Sequence, residues 1–182
     1  MTWKPRLALD LDAAAIEKLI PASVRVLQAP YYSPSQIEGA LGTVFAVDRQ
    51  LIRDRTYFVV EHEGELIGCG GWSKRKALFG GDHHRKAEDL ELDPKVDPAR
   101  VRAFFIHPGW ARRGIGRSIL QACDEAIAAA GFRRIELVAT LAGEPLYASC
   151  GYVATERFSI DLPGGLPLPV VRMVKGRNQA DG

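Results

Sequence analysis

Residues His107 to Leu120, HPGWARRGIGRSIL, hold the densest potential chemistry in the chain. Three glycines and three arginines fall between Gly109 and Arg117. Backbone N–H groups of residues 112 to 117, turned inward at the start of a helix, form an anion site without needing any one side chain. The helix end adds a partial positive charge worth about 0.3–1 kcal/mol to an anion. Arg112, Arg113 and Arg117 add charge-assisted hydrogen bonds of about 1.5–3 kcal/mol each where they reach it. The glycines let a ligand approach the main chain. Two phosphate-binding loops are argued against by single residues. A P-loop with Gly109 and Gly114 requires lysine next, where this chain has Ile115, so the charge needed for phosphoryl transfer is missing. A dinucleotide fingerprint on Gly114 and Gly116 requires a third glycine where Ile119 stands. What remains is a cradle that holds a pyrophosphate and leaves it unreacted. A glycine turn that merely reverses the chain, flanked by solvated arginines, is the simpler alternative.

Several elements must position this loop. The run VRAFFIH predicts a strand ending at Pro108-Gly109. After the loop, Ile115, Ile119, Ala122, Cys123, Ala126, Ile127 and Ala130 recur at helical spacing. Gly131 suits the helix end, with Phe132 packing back. RRIELVA is the next strand and GEPLYASC a short helix closed by Gly151. YVATERFSI and LPVVRMVK are two strands around the turn DLPGG. Upstream, residues 56 to 75 read as a hairpin about HEGE. Ser33, Pro34 and Gln36 mark a capped helix start. RLALDLD reads as a first strand, followed by a helix capped by Asp10 or Asp12 and broken or kinked at Pro21. The order β-α-α-β-β-loop-β-α-β-α-β-β is that of a mixed α/β sheet covered by helices.

With these elements in place the chain resembles the GNAT N-acetyltransferase superfamily. Its acetyl-CoA motif, Arg/Gln-x-x-Gly-x-Gly/Ala, is matched by ARRGIG, Ala111 to Gly116, after AFFIHPGW. The first position is Ala111, which removes one side-chain contact and keeps the backbone cradle. A second family block, FYxxxGF, is matched by LYASCGY, Leu146 to Tyr152, one helix and one strand downstream. The resemblance covers roughly residues 56 to 175. It implies an α/β fold: a GNAT-like mixed, mostly antiparallel twisted sheet of six to seven strands flanked by about four helices. Residues 1–182 then form one acetyltransferase domain with a long inserted loop at about 74–100 and a flexible tail at about 176–182.

The resemblance implies direct attack of an amine on the acetyl-CoA thioester. Phe104, Phe105 and Ile106 would pair their backbone with the pantetheine arm. Ala111, Arg112, Arg113, Gly114, Ile115, Gly116 and Arg117 would hold the phosphates. A backbone N–H at the end of the Phe104–Ile106 strand would receive the oxyanion. Tyr147 is the implied acid and Glu136 the implied base, with Asp82, His83, His84 and His107 as rivals. A packing tyrosine and an exposed strand glutamate are the plainer readings of the first two. The turn before the tyrosine helix, where the family often has asparagine, carries Thr140 and Leu141.

The remaining features exclude whole classes. Net charge is only +2, from 24 basic and 22 acidic residues, too balanced for a nucleic-acid binder by charge. Cys69, Cys123 and Cys150 are odd in number and have no paired spacing, which argues against a disulfide framework or a zinc site. The adjacent Asp82-His83-His84 seldom point at one ion, so no metal is expected. No apolar run approaches 18 residues, and the start lacks a signal-peptide core. A reducing cytoplasm is the expected location. The expected partners are acetyl-CoA as cosubstrate and an amine acceptor, small molecule or peptide, with no nucleic acid or membrane; a homodimer is left open. The alternative function is a non-catalytic acyl-CoA-binding module on the same fold.

Overall fold

The computed structural model describes residues 2–76 and 90–176. The strands are β1 (Arg6–Leu7), β2 (Tyr57–His62), β3 (Glu65–Ser73), β4 (Ala99–Ile106), β5 (Arg134–Thr140), β6 (Val153–Asp161) and β7 (Pro167–Gly176). They make one seven-stranded sheet in the order β1-β2-β3-β4-β5-β7-β6. Only β4 and β5 run parallel; every other pair is antiparallel. This matches the expected mixed, mostly antiparallel sheet at its upper strand number.

Five α-helices pack on it: α1 (Ala13–Leu27), α2 (Pro34–Ala40), α3 (Arg49–Arg53), α4 (Ile115–Ala129) and α5 (Glu144–Ser149). The expected count was about four. The extra helix, α3, is a five-residue turn capped by Asp48, whose Oδ1 accepts the Leu51 N–H at 3.3 Å. So short a helix leaves little periodicity to read. At α2 the cap is the expected one: Ser33 Oγ accepts the Gln36 N–H, and Gln36 Oε1 accepts the Ser33 N–H. Pro21 neither breaks nor ends α1, which runs on to Leu27. Asp12 stands at the N-cap of α1 without capping it. Its carboxylate pairs with Arg6 at 2.8 Å and accepts the Leu9 N–H instead.

Two buried clusters lie on opposite faces of the sheet. Ile16, Ile20, Leu51 and Phe45 pack with Val59, Cys69 and Phe105 on the face of α1, α2 and α3. Ile115, Ile119, Cys123 and Ile127 of α4 pack with Val60, Ile67, Leu137 and Met173 on the other. Strand alternation sorts neighbours between the two, and so separates Phe105 from Phe104.

The expected 74–100 loop leaves β3 at Ser73 and re-enters the sheet at Ala99. Its two arms pair before they part: Arg75 bridges Glu91, and the Leu92 N–H donates to the Lys74 carbonyl at 2.7 Å. Asp82, His83 and His84 lie outside the described residues, as does the tail beyond Gly176. No described helix is long and apolar enough to cross a membrane.

Candidate active site

The parallel pairing of β4 with β5 lasts for two residues, Ala99 and Arg100 against Ile135 and Glu136. Beyond Arg100 the strands part, and a cleft of about 660 Å³ opens between them. A bulge helps set its shape. Cys69 faces Phe105 and Gly71 faces Arg102, so Ala103 and Phe104 share the single residue Gly70. Ala103 takes a left-handed φ of 62°, and the Phe104 ring lies where a Cβ on residue 70 would sit, 2.6 Å away. Only glycine fits there. Beneath the bulge the fully buried Tyr57 hydroxyl donates to the Ala103 carbonyl at 3.0 Å and meets Cys69 Sγ at 3.2 Å. Burial pushes the Cys69 thiol up to about 12, so it stays protonated and structural.

The expected cradle stands at one end of the cleft. Gly114 is the N-cap of α4 with φ 85°, a conformation that disfavours any side chain. It offers no side-chain cap, so the first N–H groups of a 15-residue helix stay open to a ligand. Ala111, Arg112, Gly114, Ile115, Gly116 and Arg117 line the cleft. Arg112 also has a left-handed φ, 64°. Arg117 Nη2 donates to Ser149 Oγ at 2.9 Å, which ties the cradle to α5. Arg113 turns away: its guanidinium lies 4.9 Å over the Trp110 ring and does not line the cleft. These open donors, two lining arginines and the room beside Gly114 fit the pyrophosphate of a coenzyme A ester.

One anchor of this loop was not visible in the sequence. The Trp3 indole N–H donates to the Arg113 carbonyl at 2.7 Å across 110 residues. Trp3, His62 and Trp110 form an edge-and-tilt cluster with centroids 4.7–6.1 Å apart. Nothing local at Trp3 signals that contact.

Phe104, Phe105 and Ile106 all line the cleft. The Ile106 N–H donates to Ser23 Oγ of α1 at 3.2 Å, and Ser23 lines the cleft too. Tyr147 of α5 lines it as well, edge-on to Phe104 at 6.0 Å and to Tyr152 at 5.9 Å. Its hydroxyl has no hydrogen bond among the described residues, and burial pushes its pKa above the usual tyrosine value. It therefore stays protonated at neutral pH.

Glu136 is placed elsewhere. It is buried, opposite Arg100, with that arginine and Arg172 on its carboxylate, and it does not line the cleft. His107 also stays outside. Its Nδ1 accepts the Gly109 N–H at 3.0 Å, and its Nε2 lies 3.7 Å from Glu65. Thr140 does line the cleft, and its hydroxyl accepts the Gly143 N–H at the start of α5. The Leu141 N–H donates to Tyr32 Oη at 3.0 Å. Among the described residues no group of three or more His, Cys, Asp or Glu side chains is arranged to hold a metal.

Comparison with known proteins bears on the family and the fold. Residues 53–154 match the model of the acetyltransferase (GNAT) domain. Among solved structures, a GCN5-related N-acetyltransferase (aminotransferase, class II) from Rhodopseudomonas palustris is 21% identical. It covers 97% of this chain and 96% of its own, with a TM-score of 0.68. PaiA N-acetyltransferase from Thermoplasma acidophilum, in complex with coenzyme A, is 14% identical over 97% of this chain and 99% of its own, at 0.63. YncA from Salmonella typhimurium, with acetyl-CoA, is 17% identical over 98% and 96%, at 0.62. At such identities the likeness is one of fold. No curated protein is significantly similar in sequence.

Proposed function

The chain belongs to the GNAT acetyltransferase family, and from that premise we propose that it passes the acetyl group of acetyl-CoA directly to an amine nitrogen in a ternary complex. One observation carries the reading. The uncapped start of α4 and Tyr147 line the same cleft, at the point where β4 leaves β5. A pyrophosphate at the cradle and a reacting thioester near Tyr147 thus fit one continuous space.

The roles follow from position. The N–H groups of residues 115–117, with Arg112 and Arg117, hold the phosphates. The unpaired length of β4 from Phe104 to Ile106 takes the pantetheine arm as a strand takes a peptide. The Ile106 N–H, relinquished by Ser23, receives the developing oxyanion. Tyr147 supplies the proton that the departing thiolate takes up. Glu136, held by two guanidiniums away from the cleft, has no part in the transfer step.

Titration calorimetry with acetyl-CoA and detection of free thiol across an amine library test this together. Binding with amine-dependent thiol release supports it; ATP or NAD binding without acetyl-CoA binding overturns it. A second reading, an acyl-CoA-binding module without transfer, is favoured by one observation: no carboxylate or imidazole lines the cleft among the described residues. Tight acetyl-CoA binding with silence from every amine would select it.

A further inference from the structure

The chemistry of the acceptor can be read from the cleft wall facing away from the cradle; the inference rests on the transfer reading above. That wall is built by Leu27 of α1, Val44 and Phe45 before α3, Val138 of β5, Ile160 of β6 and Val170 of β7. Among the described residues, the titratable groups lining the cleft are Tyr31, Arg102, Arg112, Arg117 and Tyr147. Every ionisable group among them is a guanidinium or a phenol. Asp48, the carboxylate nearest Arg102, is fully buried, pairs with it at 2.9 Å and does not line the cleft.

An acceptor with a second ammonium would bury that charge against apolar side chains and guanidiniums, with no carboxylate among the described lining residues to pair it. An acceptor with an apolar body would bury it at a gain. The reacting nitrogen follows the same logic. Apolar surroundings and a neighbouring guanidinium both favour the uncharged amine over the ammonium. One neutral group is placed to receive its N–H. Gln28, at the end of α1, donates from Nε2 to Thr140 Oγ1 at 3.1 Å, while its Oε1 is buried without a partner. Both residues line the cleft. A buried amide oxygen without a partner is a standing cost that a ligand N–H reaching it would remove.

We propose that the acceptor is a monoamine with an apolar body, bound as the free base, with its N–H received by Gln28 Oε1. The amine lone pair forms the N–C bond to the acetyl carbon as the C–S bond breaks. One proton leaves the nitrogen to water and one passes from Tyr147 to sulfur, then is restored from solvent. Amine and thioester become amide and thiol, with atoms and charge balanced.

The test is kcat/KM by thiol release for 2-phenylethylamine against putrescine and spermidine, with wild-type protein and Gln28→Leu. We expect the apolar monoamine to exceed both polyamines at least tenfold. Gln28→Leu should raise the KM for 2-phenylethylamine about tenfold and leave the acetyl-CoA Kd unchanged. A polyamine that equals or beats the monoamine overturns the proposal, independently of how the variant folds. An unchanged amine KM in a folded Gln28→Leu removes Gln28 from it. Silence from every amine while acetyl-CoA binds overturns the transfer reading itself, and this inference with it.

Discussion

The cleft has two ends that are built in opposite ways. The cradle end is one continuous segment, Ala111 to Arg117, shaped by backbone torsions and open N–H groups. The acceptor end is assembled from α1, the segment before α3, and β5, β6 and β7, and it is shaped by side chains. In the proposed function the first end takes charge through the main chain, which a departure such as Ala111 leaves intact. The second end would sort acceptors by bulk and polarity, so each side chain there would matter to selectivity.

The contrast can be broken by single substitutions. Gly114→Val should have the largest effect. A β-branched residue at φ 85° costs about 1–2 kcal/mol or more, and the displaced turn loses charge-assisted bonds of about 1.5–3 kcal/mol. The acetyl-CoA Kd should therefore rise about a hundredfold by calorimetry, with amine KM nearly unchanged; a matching rise in amine KM would show that the ends are not separable. Tyr57→Phe comes next. It strips the donor from the Ala103 carbonyl, and leaving that group unsatisfied costs about 1–3 kcal/mol. The melting temperature should fall by about 2–12 °C, at about 2–4 °C per kcal/mol for a chain of this size, and an unchanged melting temperature would mean that the bulge holds its own shape. Tyr147→Phe should lower turnover about tenfold and leave acetyl-CoA affinity within about twofold. That lies below the usual range for an acid catalyst because a thiol of pKa about 8.5 leaves readily. Wild-type turnover would remove Tyr147 from the step. Trp3→Phe should have the smallest effect. It removes one hydrogen bond to Arg113 worth about 0.5–1.5 kcal/mol, so the acetyl-CoA Kd should rise about threefold. No change would show that the loop keeps its form unaided.

The same contrast decides what the sequence could tell. Gly114, the arginines and the apolar stripe of α4 are neighbours in the chain, so spacing alone predicted the cradle and its helix. Tyr147 was reachable through a second local motif. Glu136 was expected at the site through the family resemblance, which does not tell which partner a side chain meets across the sheet. Here it meets Arg100 and Arg172. Gln28, Ser23 and Trp3 act on residues 83 to 112 positions away. No periodicity encodes such pairs; they exist only once the two faces have packed. Pro21 does not break α1, because packing of the helix on the sheet outweighs one lost backbone hydrogen bond.

The two-residue pairing of β4 with β5 has a last consequence. Past Arg100, β4 has an unpaired side in the middle of the sheet. Such an edge at a sheet's rim is an invitation to aggregate. Here it is recessed, with α1 on one face and α4 and α5 on the other. A thin, unbranched chain suits so recessed a slot better than a strand bearing side chains on both faces, and in the proposed function the pantetheine arm is that chain.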